Sequence, residues 1–133
     1  MKVLLSSILV FFSFFAVVDT ADEIVNAIRA GKATELVKYF DARVSVKLID
    51  QEDLLSRSQA EANLRFFFEK HPVKAFNATH KSSVNNNSQY ITGKLETTNG
   101  DFRVSVLIRN ALVTQFRIEA DNDWFYFKTP SSF

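Results

Sequence analysis

Residues 89–109 read QYITGKLETTNGDFRVSVLIR, and this stretch decides the fold class. Two alternating runs flank Thr98-Asn99-Gly100-Asp101, and Asn-Gly is the strongest short signal for a two-residue β-hairpin. A turn at Asn99-Gly100 sets Thr97 against Phe102, Leu95 against Val104, Gly93 against Val106 and Ile91 against Ile108, all on one face. On the other face Glu96 meets Arg103, a cross-strand ion pair. The predicted hairpin is therefore apolar on one side, with Lys94, Glu96, Arg103 and Arg109 on the other. Helices should cover only the apolar side.

Two further strands, at 74–81 and 113–120, extend the same pattern. Upstream, Val44, Val46 and Leu48 alternate with Ser45 and Lys47, predicting a strand over 43–49. Residues 50–56 read as a polar connection. Three helices complete the set. The first begins at Asp22, places Ile24, Val25 and Ile28 on one face and ends at Gly31. A short second one carries Leu36, Val37 and Phe40, with Thr34 as its cap. The third opens on a capping box of Ser58 and Glu61, carries Leu64, Phe67 and Phe68, and stops at Pro72. The order is helix, helix, strand, helix, then four antiparallel strands: an α+β fold with three helices on one face of a curved, mainly antiparallel sheet.

The ends of the chain have a different composition. Met1-Lys2 followed by an apolar run to Val18 is the pattern of a secretory signal peptide. The run is shorter than the ~20 residues of a comfortable membrane span. Ala21 is the small residue at the expected cleavage point, which divides the chain into a signal peptide at 1–21, a domain at 22–120 and an aromatic extension at 121–133. The expectation is an exported protein, periplasmic or secreted, with no stable membrane anchor after cleavage. The extension holds Trp124-Phe125-Tyr126-Phe127, read either as a strand packed on the core or as a contact surface.

Composition excludes several chemistries. With no cysteine and only 3 glycines, disulfide frameworks, phosphate loops and dinucleotide motifs have nothing to be built from. Net charge is +1, and the basic residues are interspersed with acidic ones, so nucleic acid is not an expected partner. No two histidines stand at ligand spacing, so neither a metal nor another cofactor is expected.

The stretch Ile24-Val25-Asn26-Ala27-Ile28-Arg29-Ala30-Gly31, followed by Leu36 and Tyr39-Phe40-Asp41, resembles the opening of the nuclear transport factor 2-like superfamily of cone-shaped, cystatin-like folds. Ser58-Gln59-Ala60-Glu61, Ser88-Gln89-Tyr90, the Thr98-Asn99-Gly100 turn with Phe102-Arg103-Val104, and Arg117-Ile118-Glu119 are similar to a DUF4783-like family of exported bacterial domains within it. The resemblance covers residues 22–119 and implies the fold, with a turn shortened at Asn110-Ala111. It assigns no catalytic residue. Enzymes of the superfamily use a pocket carboxylate or a His–Asp pair, which draws attention to His80, on the core face with Phe76 and Ala78 if the loop at Asn85-Asn86-Asn87 is six residues long, a placing that a one-residue slip reverses. His71 reads as a cation at a helix C-terminus. Tyr39 and His80 are the candidate ligand-binding residues. The functional expectation is a small-ligand-binding or accessory domain, with a homodimer left open. The alternatives are a dehydratase- or isomerase-type enzyme using His80 and an interaction module using the aromatic tail.

Overall fold

A computed structural model describes residues 19–85 and 87–121. The apolar leader at 1–18 and the aromatic segment at 124–127 lie outside the described residues. In chain order the elements are α1 (Thr20–Ala30), α2 (Ala33–Leu36), a 3₁₀ turn at Val37–Tyr39, β1 (Phe40–Leu48), β2 (Gln51–Ser56), α3 (Arg57–Lys70), β3 (Val73–Asn85), β4 (Ser88–Thr97), β5 (Gly100–Arg109) and β6 (Leu112–Ala120). The strands form one six-stranded sheet in the order β2-β1-β6-β5-β4-β3. Every pairing is antiparallel except that of β1 with β6. No helix among the described residues is long and apolar enough to cross a membrane.

The three helices lie on the apolar face, as alternation along the strands requires. Val44, Val46, Phe76, Ile91, Leu95, Phe102, Val104, Val106, Ile108, Phe116 and Ile118 are buried there, against Ile24 and Ile28 of α1, Leu36 of α2 and Leu64, Phe67 and Phe68 of α3. Two arginines fasten the helices to strand carbonyls. Arg29 of α1 donates from Nε and Nη2 to the Phe76 carbonyl at 3.3 and 3.2 Å. Arg57 of α3 does the same to the Phe40 carbonyl at 3.2 and 3.0 Å. The β1–β6 ladder shifts register just after Phe40, and a fork of guanidinium donors serves the carbonyl there.

α1 begins at Thr20, ahead of the expected Asp22. Asp19 is its cap, accepting from the Ala21 backbone N–H, and Ala21 is buried. The helix ends at Gly31 with φ 66°, as its sequence predicts. Thr34 caps nothing: it stands inside α2, whose N-cap is Lys32 without a side-chain bond. The capping box of α3 is formed by Ser56 and Gln59, two residues before the Ser58–Glu61 pair the spacing suggests. The larger correction is at 50–56, which is no loop. Ile49 and Asp50 form a two-residue connection, and Gln51–Ser56 pairs with β1 as an edge strand.

The hairpin keeps its predicted faces but not its register. Thr97 pairs with Gly100 across Thr98-Asn99, so Leu95 faces Phe102, Gly93 faces Val104 and Ile91 faces Val106. The slip is two residues, and side-chain parity survives it. Glu96 consequently faces Asp101 and Lys94 faces Arg103, and the expected Glu96–Arg103 pair is not formed. Lys94 Nζ instead lies 3.8 Å from Asp101 Oδ2. A contact outside the hairpin and one inside it account for the slip: the Thr98 N–H donates to the Pro72 carbonyl at 3.0 Å, and within the turn Thr97 Oγ1 donates to the Gly100 carbonyl at 2.6 Å. Gly100 has φ 114°, whereas Asn99 is not in the positive-φ region. The turn in which both central residues have positive φ is Asn110-Ala111, at 51° and 65° between β5 and β6.

These two turns respond to substitution in opposite directions. Ala111→Gly removes the penalty of a Cβ at positive φ and should raise stability by about 1 kcal/mol. Gly100→Val imposes that penalty on a β-branched residue and should lower it by about 1–2 kcal/mol. Thermal or urea unfolding measures both.

A charge pair joins β1 to β6, Lys47 Nζ to Glu119 Oε2 at 3.1 Å, with Arg117 Nε 3.3 Å from Glu119 Oε1. Partial burial pushes the Glu119 carboxyl up, but Lys47 and then Arg117 outweigh it, holding the group below its usual value of 4.5. A depressed folded-state value means that Glu119 stabilises the fold above the unfolded value and that this contribution is lost as pH falls through the folded one. Glu119→Gln should therefore lower stability at pH 7 by less than about 1 kcal/mol, the pair being partly exposed. The difference from the parent should shrink as pH falls below the usual carboxylate value and vanish once it has passed through the lowered folded-state value, as unfolding curves taken at a series of acid pH values would show.

Candidate functional site

The β1–β2 hairpin and the flank of α3 enclose a cleft of about 410 Å³. Its shape follows from two periodicities. Pairing of Val46 with Asp53 and Leu48 with Gln51 puts the odd-numbered residues of β2 on the helix side of the sheet, with Leu55 opposite Val44. On α3 the stripe Ala60, Leu64, Phe67 and Phe68 is buried, which leaves Asn63, Phe66 and Lys70 along the flank that faces β2. Between the two lie apolar walls of Val46, Leu48, Leu55, Phe66 and Phe67. Gln51, Asp53, Asn63, Lys70 and His71 supply the polar groups.

Three observations distinguish this cleft. Phe66 is 60% exposed on its rim, with Lys70 Nζ 4.9 Å from the ring centroid, a cation–π contact. Ile49, also on the rim, has φ 63°, an outlier for a β-branched side chain. The third is His71. Its ring stacks on Phe67 with centroids 4.5 Å apart and meets Phe102 edge-on at 5.0 Å. Nδ1 lies 3.1 Å from the Asn99 carbonyl oxygen. The residue does end α3, its backbone N–H donating to the Phe67 carbonyl, but its side chain serves the β4–β5 turn rather than the helix end.

Neither candidate from the sequence lines this cleft. The Tyr39 hydroxyl donates to a Glu23 carboxylate oxygen, tying the 3₁₀ turn to α1. That hydrogen bond, then burial and the charges of Glu23 and Glu35, raise the phenol above its usual 10.0. His80 is exposed and lines a separate groove of about 390 Å³ with Thr92, Lys94, Arg103 and Asp121. A register shift between Ala78 and His80 breaks the alternation of β3: Ala78 faces Gly93, but His80 faces Thr92 and Lys81 faces the core residue Ile91. The bulge thus turns His80 away from the core face and brings Lys81 over to α1, where Nζ lies 2.5 Å from Asp22 Oδ1. Among the described residues the His80 imidazole has no hydrogen-bond partner, and no group of three or more His, Asp and Glu stands close enough to hold a metal ion. The cleft was not legible in the sequence because one side of it is closed by β2, through Gln51, Asp53 and Leu55. The visible signal was Leu55 one residue before the Ser56 cap, with a hydrophobic residue at the N′ position.

A family model described as a domain of unknown function, DUF4783, matches residues 21–120. The chain belongs to this family. Crystal structures of DUF4783 proteins are similar to it. One from Bacteroides uniformis is 28% identical with a TM-score of 0.74, over 77% of this chain and 98% of that one. One from Bacteroides ovatus is 30% identical with a TM-score of 0.71, over 75% and 94%. A domain of unknown function with a cystatin-like fold from Nostoc punctiforme has a TM-score of 0.62 at 9% identity, over 82% and 79%, a likeness of fold alone. This DUF4783 domain thus has the cystatin-like, nuclear transport factor 2-like fold. No curated protein matches the chain.

Strain on the cleft rim has a measurable consequence. Replacing Ile49 by glycine should relieve the positive-φ penalty and raise stability by about 1 kcal/mol, with thermal unfolding as the measure. A fall in the midpoint would show that rim packing of the isoleucine outweighs the strain.

Proposed function

We propose that this DUF4783 domain is an exported small-ligand-binding protein and that the cleft between α3 and β1–β2 is its binding site. The observation that carries the reading is the cleft itself: about 410 Å³, walled by aliphatic and aromatic side chains with a few polar groups among them. That size and mixture suit one small organic molecule. Binding without catalysis is the better reading, because the imidazole in the cleft wall is held by a backbone carbonyl rather than by a carboxylate that would stabilise its cation. His80, solvent-exposed on the opposite face, does not favour the acid/base alternative. The apolar leader supports export. Asp19 caps α1 and Ala21 is buried, which favours processing ahead of Asp19 rather than after Ala21.

Titration with the dye anilinonaphthalene sulfonate tests the binding site. The dye should bind saturably with one-site stoichiometry. Phe66→Ala, at an exposed position that the core does not need, should weaken it about tenfold. Unchanged affinity in that variant, with its far-ultraviolet dichroism intact, would place any binding elsewhere and overturn the reading.

A further inference from the structure

The polar groups of the cleft are not equivalent. Gln51, Asp53, Asn63 and Lys70 are exposed side chains, and none of them makes a hydrogen bond or ion pair among the described residues. Apart from Lys70, which lies over the Phe66 ring, no contact fixes their rotamers, so engaging Gln51, Asp53 or Asn63 requires ordering a free side chain. His71 is fixed on three sides. Phe67 stacks on its ring, Phe102 meets it edge-on, and Nδ1 is bonded to the Asn99 carbonyl. A carbonyl oxygen only accepts, so Nδ1 is the protonated nitrogen of the neutral ring. Nε2 is then left with a lone pair and has no partner among the described residues. The cleft therefore carries one preorganised acceptor among apolar walls.

We infer that the ligand is a largely apolar small molecule bearing a hydroxyl or N–H group, and that Nε2 of His71 accepts its hydrogen bond. This rests on the cleft being the binding site and adds the class of molecule it selects. The arrangement makes His71 the specificity-determining residue: the walls bind apolar surface without regard to functional groups, while a pinned acceptor rewards a donor and leaves an ether or hydrocarbon without a partner.

The test uses β-naphthol and its methyl ether as matched probes, titrated calorimetrically into the purified protein. The ether has more apolar surface, so burial alone favours it. We expect the naphthol to bind about fivefold tighter, the size of one net hydrogen bond. His71→Phe preserves the stacking, and should keep the affinity for the ether within about twofold while abolishing the preference. Equal affinities in the parent protein, or a preference that persists in His71→Phe, would overturn the inference and leave the cleft reading standing. Binding of neither probe would remove both. Nitrogen-15 spectra of the ring give a second check that needs no variant: the neutral form should carry its proton on Nδ1, and an Nε2–H tautomer would refute the assignment.

Discussion

A six-stranded sheet with one apolar face has to hide that face, and the organisation of this chain follows from how three helices of limited length do so. α3 is the central cover. Its Leu64, Phe67 and Phe68 enter the core, and Phe67 meets Phe102 of β5 edge-on at 5.3 Å. None of the helices would persist alone, so each is fastened as well as packed: α1 by Arg29 on the Phe76 carbonyl, α3 by Arg57 on the Phe40 carbonyl. The helix cover is narrower than the sheet. Where it stops short, at the β1–β2 edge, the flank of α3 and the inner side of β2 are left facing each other across open space, and the cleft arises there.

The fold was legible because alternation is robust to small errors. A two-residue slip of the β4–β5 hairpin moves every cross-strand partner and reverses no side chain, so the sheet was read on the correct face from an incorrect register. What local chemistry did not reveal was the pull of distant groups. The Pro72 carbonyl draws the turn back, and His71 holds the Asn99 carbonyl. The primed turn itself sits at Asn110-Ala111, where an alanine takes a conformation its side chain disfavours.

The site was less legible than the fold, for reasons that can be assigned to particular residues. β2 has the sequence Gln-Glu-Asp-Leu-Leu-Ser; an edge strand with four exposed residues needs no alternation, and Ile49-Asp50 is no recognisable turn pair. Without β2 the cleft has one wall. His80 and His71 exchange roles on the strength of two backbone details. A bulge after Ala78 rotates the first out of the core face, and a helix that ends against a hairpin turn gives the second a rigid seat. Neither detail has a signature in the residues themselves.

The pairing of β1 with β6 carries a consequence for how the chain acquires its shape. Lys47 and Glu119, which bridge the two strands, are 72 positions apart, and their strands run parallel, so no tight turn can template the union. β1 can fold back on β2 early, and β3, β4 and β5 can form a meander of local hairpins, but the two halves remain separate sheets until the last strand is in place. Contacts this remote in sequence are slow to form because the intervening loop must be closed before they return any stability. Synthesis thus has to pass β6 before this domain can complete its sheet, and until then an unprotected strand edge is exposed on each half.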